Sequence, residues 1–219
     1  MIPYVHMELS KSHKKLLSKV WRMNNLYKIR TKIPGFEGKT VMFRPNFAQK
    51  QIYQKLSDGY RRIIILKPRK LGTTTSTVLY LLDEAMFNPN NLCRTIAHRK
   101  QTSSELFNDI VRYAFDRIRE EMRPGIRYTT RSELDFADIG SKYSIDVQAR
   151  GMTPTFLHLS EIAYMDDEQE LEDTIESVPL TSTIIAESTA NGIGNFFEKT
   201  FTSNFNAMSE GKEPPWLPM

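Results

Sequence analysis

Apolar and polar positions along the chain repeat with two periods. Residues 10–30 carry Leu16, Leu17, Val20, Trp21 and Leu26 at helical spacing among Lys11, Lys14, Lys15, Lys19 and Arg22, which predicts a basic amphipathic helix. The simpler reading of its charged side is a solvated face on a helix packed against the main domain. The functional alternative is a nucleic-acid contact. A second helix is expected over 46–58, with Asn46 as its N-cap. Arg61–Lys67 centres on the unbroken apolar run Ile63–Leu66, the pattern of a strand buried on both faces of a parallel sheet. A loop over Pro68–Gly72 and a helix over Thr74–Phe87 follow. Arg94–His98 reads as a short strand, and Thr102–Arg123 as a long amphipathic helix with Leu106, Ile110, Ala114 and Ile118 on one face.

From 126 to 149 the period falls to two, which predicts an antiparallel hairpin of Ser132–Ala137 and Ser144–Ala149 around Gly140. Phe156–Leu159 is another buried strand, ending at Ser160-Glu161. Ile175–Val178 closes a helix, and Thr183–Ala186 is the last core strand before a polar turn over Glu187–Gly194. Strands alternating with helices argue for an α/β domain with a mainly parallel central sheet.

The chain has 219 residues, 40% of them hydrophobic, enough for one domain with a real core. No apolar run approaches the ~20 residues of a membrane helix, and the N-terminus has no signal-peptide core, so a cytosolic protein is expected. A net charge of +4 is compatible with nucleic acid without requiring it. The lone Cys93 excludes an internal disulfide, and four scattered histidines show no zinc-ligand spacing. The proline-rich end Gly211–Met219 reads as the start of a linker or as a loose tail.

The strongest chemical signal is the strand, loop and helix around Lys67–Thr75. A phosphate-binding loop, or Walker A motif, has the form G-x-x-x-x-G-K-S/T: backbone N–H groups cradle phosphates, the lysine bridges the terminal ones and the hydroxyl binds magnesium. Here Lys67-Pro68-Arg69-Lys70-Leu71-Gly72-Thr73-Thr74 fills the eight positions. Gly72 and the magnesium hydroxyl of Thr74 are kept. Lys67 replaces the first glycine, and Thr73 replaces the lysine. A basic turn after a strand is common, so the match alone is weak. Its cationic charge persists, however: Lys67 at the first position can fold back over the phosphates in place of the missing lysine, and Arg69 can sense the γ-phosphate.

The strand ending at Ser160-Glu161 occupies the place of a Walker B Asp-Glu pair, in which the aspartate supports magnesium and the glutamate orients the attacking water. Glu161 is the candidate base. Ser160 can reach a magnesium-bound water but brings no charge. Small hydroxyl residues after the last core strand, in Glu187-Ser188-Thr189-Ala190-Asn191-Gly192, would face a nucleotide crevice; the bland alternative is an Asn-Gly turn.

Together these segments resemble the ATPase domain of the large terminase subunits of tailed bacteriophages. Pro45–Leu56, with Ala48-Gln49, looks like the glutamine-containing adenine motif, and Lys67–Thr75 like the family's variant loop. Ala149–Thr153 resembles its Arg-Gly segment, Leu157–Tyr164 its acidic strand, and Glu187–Phe197 its coupling motif. The resemblance spans residues 43–200 and departs from the pattern at Thr73 and Ser160. It implies an α/β P-loop NTPase of the additional-strand, catalytic-glutamate type, with ATP and Mg2+ as cofactors. Nucleotide contacts would come from Gln49, Lys67, Arg69, Lys70, Leu71, Gly72, Thr73, Thr74 and Thr75. Thr74 and, through water, Ser160 would hold the metal. Glu161 would be the catalytic base, Arg69 the cis arginine and Arg150 the arginine finger offered to a neighbouring subunit. Ser188, Thr189, Asn191 and Gly192 would couple hydrolysis to motion.

The implied partners are double-stranded viral DNA, the portal protein, the small terminase subunit and further copies of the chain in a ring, with no membrane. The implied location is the host cell cytoplasm and, transiently, the procapsid portal vertex. The domain expectation is a helical, basic segment over 1–42 packed on the motor, the ATPase over 43–205, and over 206–219 the start of a linker to a nuclease domain that this segment does not contain. Two other readings compete: a helicase-like ATPase, and a DNA-binding or scaffold protein whose degenerate loop no longer binds ATP.

Overall fold

The structure is a computed structural model that describes residues 11–32, 34–136, 138–148 and 153–219. The N-terminal basic stretch is divided in two, α1 (Lys11–Leu16) and α2 (Lys19–Asn25), because Ser18 caps the second helix by accepting from Trp21 N–H. The ends of the expected single helix give way to a small antiparallel ribbon, β1 (Lys28–Arg30) with β2 (Thr40–Met42). Leu17 and Val20 are exposed, whereas Met23, Leu26 and Tyr27 reach the core. Arg22 turns inward and grips Asp83 with Nε at 2.8 Å and Nη2 at 2.7 Å, and Tyr27 OH donates to the same carboxylate. Lys19 pairs with Glu84. Part of the basic face therefore locks this segment onto the domain.

Helix α3 (Phe47–Ser57) begins at a reciprocal capping box between Asn46 and Gln49. Strand β3 (Arg62–Leu66) runs into the loop and into α4 (Thr73–Phe87), which is buried along nearly its whole length. After β4 (Leu92–Ala97) the expected long helix appears as α5 (Lys100–Leu106), a π-helical turn over Phe107–Arg112 and α6 (Tyr113–Phe115). It ends eight residues earlier than its periodicity suggests. The π turn shifts the apolar stripe, so that Phe107, Val111 and Phe115 join Leu106, Ala114 and Ile118 inside.

Strands β5 (Ile126–Thr129), β6 (Glu133–Phe136) and β7 (Ser141–Asp146) follow, then β8 (Phe156–Ser160), α7 (Glu168–Ser177), β9 (Thr183–Ser188), α8 (Phe196–Ser209) and β10 (Leu217–Pro218). The eight-stranded sheet has the order β10-β3-β9-β8-β4-β7-β6-β5. It is parallel from β10 to β7 and antiparallel from β7 to β5. The expected hairpin exists as β6 and β7, but β7 starts at Ser141 rather than Ser144 and also pairs with β4, so the hairpin extends the main sheet. Strand β9 lies between β3 and β8, the additional-strand order. Alternate residues feed two cores: Ile63 and Ile65 pack with α4, and Ile64 packs with Leu171, Phe197 and Trp216 on the other face.

Two expectations change here. The end of the described chain does not behave as the start of a linker. Strand β10 pairs with β3, Trp216 is buried, and Trp216 N–H donates to Asn204 of α8. The apolar residues of this end supply the anchor, because they cover an otherwise open edge of β3. Strand β9 also runs two residues further than expected. That carries Glu187 and Ser188 out of the anticipated turn and into the buried sheet.

Candidate functional site

Parallel strands in register bring their carboxyl ends to one edge, and the candidate residues gather there. Leu66 is opposite Ser188 and Ser160 is opposite Glu187. The loop after β3 turns through Lys70 and Gly72, both at positive φ. Gly72 (φ 77) immediately precedes α4, and an added Cβ there would meet Gln49 Nε2 at 3.0 Å. The position therefore favours glycine for its backbone, and a side chain there would also press on the Gln49 amide. No side chain caps α4, so its first N–H groups remain available to an anion. Asn46 and Gln49 hold the loop from the α3 side. Gln49 Nε2 donates to the carbonyls of Leu71 and Gly72 at 3.3 and 3.0 Å, and Asn46 Nδ2 donates to Leu71 O at 3.1 Å.

Lys67 is at the centre. Its ammonium lies 2.9 Å from Glu161 Oε1, is paired with Glu187 Oε2, and donates to Thr74 Oγ1 at 2.7 Å. Thr74 Oγ1 in turn donates to Glu187 Oε1 at 2.8 Å, and Ser160 Oγ donates to the same oxygen at 2.9 Å. His158 Nε2 stands 3.3 Å from that oxygen, and its Nδ1 lies 3.2 Å from Thr95 Oγ1. Glu187 is fully buried. Burial by itself raises its carboxyl, but the hydrogen bond and charge of His158, joined by those of Lys67, outweigh burial and lower it to about 2.

Glu161 adopts the left-handed conformation (φ 57, ψ 46), unusual for a residue with a side chain and of a kind found where surroundings hold a functional group in place. Its Oε2 accepts from Thr189 N–H at 3.2 Å and, at 3.4 Å, from the hydroxyls of Ser188 and Thr189. The segment after β9 thus touches the candidate base directly. Tyr164 OH reaches Thr189 Oγ1 and Ala190 O, and Asn191 Nδ2 donates to Ala163 O at 2.7 Å. The bond to Thr189 and the neighbouring Arg69 guanidinium lower the Tyr164 phenol.

The structure therefore brings together Lys67, Gly72, Thr74, Ser160, Glu161, Ser188 and Thr189. Thr73, where a lysine stands in the usual motif, has a buried hydroxyl without a hydrogen-bond partner, and Thr75 is half-buried in the first turn of α4. Lys70 and Arg69 are exposed on the loop. Gln49 meets the loop carbonyls, and Gly192 (φ 74) turns the chain beyond Asn191. Arg150 lies outside the described residues. Sequence reasoning did not assign Glu187 a role, although a carboxylate closing an apolar strand is the signal that singled out Glu161. Among the described residues no group of three or more His, Cys, Asp or Glu side chains could hold a metal by itself. The donor set instead fits magnesium, which takes one or two carboxylates or hydroxyls and completes its shell with phosphates and water.

No protein-family model matches the sequence, and no curated protein matches it. Solved structures do match the fold. The large terminase of bacteriophage HK97 superposes with a TM-score of 0.69 at 14% identity, over 94% of this chain and 43% of that one. The chain thus spans less than half the length of that protein. The large terminase ATPase domain of Thermus phage P74-26 gives 0.61 at 16% identity, over 81% of this chain and 80% of that one. A large terminase from a thermophilic bacteriophage, in complex with ATP-gamma-S, gives 0.51 at 14% identity over 79% of this chain and 43% of that one. The fold is that of phage large terminase ATPase domains.

Proposed function

We propose that the chain is the ATPase motor of a viral DNA-packaging terminase large subunit, hydrolysing ATP to drive double-stranded DNA into the procapsid. One observation carries this reading: the displaced lysine, Lys67, reaches Thr74 at the start of α4 and Glu161 at the end of β8. In this reading Lys67 supplies, from the opposite end of the loop, the charge missing at Thr73. In this reading the uncapped N-terminus of α4 and Lys67 bind the phosphates, and Thr74 holds Mg2+. The metal, when bound, would supply positive charge against the charge that develops on the phosphates. Glu161 orients the attacking water. Its bonds to Ser188 and Thr189 would relay the state of the γ-phosphate to the Asn191–Gly192 turn and on to α8.

Arg69 would stabilise the developing charge in cis, and Arg150 would do so in trans within a ring of subunits. The proposed partners are viral DNA, the portal protein and the small terminase subunit, in the host cell cytoplasm and at the procapsid portal vertex. DNA contacts would go to phosphates, independent of sequence and weakened by salt. Titrating ATP-gamma-S into the chain by calorimetry tests the reading. Binding that Mg2+ strengthens is expected, and no binding at millimolar nucleotide with Mg2+ would overturn it in favour of a degenerate scaffold.

A further inference from the structure

The geometry points to Glu187, on β9, as the carboxylate that supports the metal in this site, and to the Lys67 ammonium as the cation that keeps its place until metal and nucleotide arrive. The inference rests on the nucleotide-binding reading above. It replaces the assignment that sequence spacing gives to Ser160.

Three observations carry it. The first is topological. Strand β9 is the middle strand between the loop strand β3 and the acidic strand β8, with Glu187 in register opposite Ser160. The charge absent from the end of β8 is present one strand over, and the two side chains touch, Ser160 Oγ donating to Glu187 Oε1 at 2.9 Å. The second is the partner of Thr74. The hydroxyl expected on the metal is bonded at 2.8 Å to Glu187, so Glu187 is the carboxylate beside the metal hydroxyl. The third is the cation already there. The Lys67 ammonium has oxygens of Thr74, Glu161 and Glu187 around it. These are the hard oxygen donors that magnesium prefers. A lysine that must bridge phosphates cannot keep all three contacts. Its departure would take the Lys67 ammonium from a fully buried carboxylate and leave His158 beside it, a state disfavoured unless another cation takes over. Metal entry and the transfer of Lys67 to phosphate are therefore one exchange of cations.

The alternative is that Glu187 is only a structural counter-ion for Lys67 and His158. The two roles separate in Glu187→Gln, which keeps shape and an acceptor but removes the charge. The probe is Mn2+, followed by electron paramagnetic resonance in the presence of saturating ATP-gamma-S, with metal-free ATP-gamma-S affinity measured in parallel. The expected result is an affinity for Mn2+ lowered by about 10–100-fold, the usual range for altering a metal site's supporting shell. Metal-free nucleotide affinity should be unchanged or tighter, because Lys67 has lost a competing carboxylate. Adding Ser160→Asp to that variant should regain Mn2+ affinity by returning the charge to β8.

Unchanged Mn2+ affinity in Glu187→Gln overturns the inference. So does a parallel loss of metal-free nucleotide affinity, which marks a structural counter-ion. Failure of the unaltered chain to bind ATP-gamma-S at all removes the nucleotide reading itself, a distinct result. If Glu187→Gln does not fold, the unaltered chain crystallised with ATP-gamma-S and Mn2+ decides. An anomalous peak beside Thr74 and Glu187, with Lys67 moved onto phosphate, is expected. A peak with Lys67 still on Glu187 overturns the inference.

Discussion

Replacing Lys67 by methionine should destabilise the nucleotide-free protein and weaken nucleotide binding, for two separable reasons. The lysine side chain is 7% exposed and stands between Glu187, at 0%, and Glu161, at 24%. Methionine fills the aliphatic volume but leaves both carboxylates without their shared cation. Removing one partner of a buried ion pair costs about 3–5 kcal/mol. The lower end applies here, because Glu161 is partly solvated and Glu187 Oε1 keeps the Thr74 and Ser160 hydroxyls and His158. For a chain of this size a loss of about 3 kcal/mol lowers the melting temperature by roughly 6–12 °C. The nucleotide would lose a charge-assisted hydrogen bond, worth about 1.5–3 kcal/mol, or about ten- to hundredfold in affinity. Adding Glu187→Gln removes the stranded buried charge. The double variant should therefore regain part of the stability but none of the nucleotide affinity contributed by Lys67. Thermal unfolding by circular dichroism and calorimetric titration of ATP-gamma-S read the two effects. A Lys67→Met protein as stable as the parent would refute the reasoning, as would a double variant no more stable than the single one.

Two other outcomes follow from the same structure, and a third from the proposed function. Arg22→Met leaves the fully buried Asp83, among the described residues, with Tyr27 as its remaining side-chain donor and should cost about 3–5 kcal/mol in urea unfolding; a loss below 1 kcal/mol would show that α2 is not locked to α4 by this pair. Glu187 has a folded-state pKa below its ordinary value, so its stabilising contribution is complete above about pH 4.5 and is lost as pH falls toward 2. Without metal and nucleotide, Glu187→Gln should accordingly lose stability less steeply than the parent over that interval, and equal slopes would contradict the assignment. In the proposed ring, Arg150→Ala subunits mixed with unaltered ones should depress ATP turnover by more than their share of subunits, whereas a strictly proportional loss would exclude the proposed trans role.

Much of this protein was legible from local pattern. The uninterrupted run Ile63–Leu66 and the apolar strands at 156–159 and 183–186 announced a parallel sheet, because strands covered on both faces have no polar side to show. Loop chemistry singled out Lys67, Gly72 and Thr74 as candidates, because a phosphate cradle needs its residues at fixed offsets along one turn, and the structure brings Lys67 and Thr74 into contact. Glu161 was legible for a similar reason, as a carboxylate closing an apolar strand. Contacts between distant segments were not legible. The π turn in Phe107–Arg112 packs against α4, and local periodicity carries no record of that contact. The Pro-rich end looked like a linker, since the edge of β3 that accepts Leu217–Pro218 lies some 150 residues earlier. Glu187 shows the division most clearly. In sequence it closes an apolar strand as Glu161 does, but nothing local says that it lies within the sheet and not in the turn that follows. Only the order β3-β9-β8 places it between the loop and the acidic strand, where Thr74, Ser160, His158 and Lys67 converge on one carboxylate. Sequence by itself determined which residues carry charge and, for the central strands and α3 and α4, which segments are strand or helix. Tertiary structure decided which charges meet, because strand order depends on how three separate segments pack and not on the spacing within any one of them.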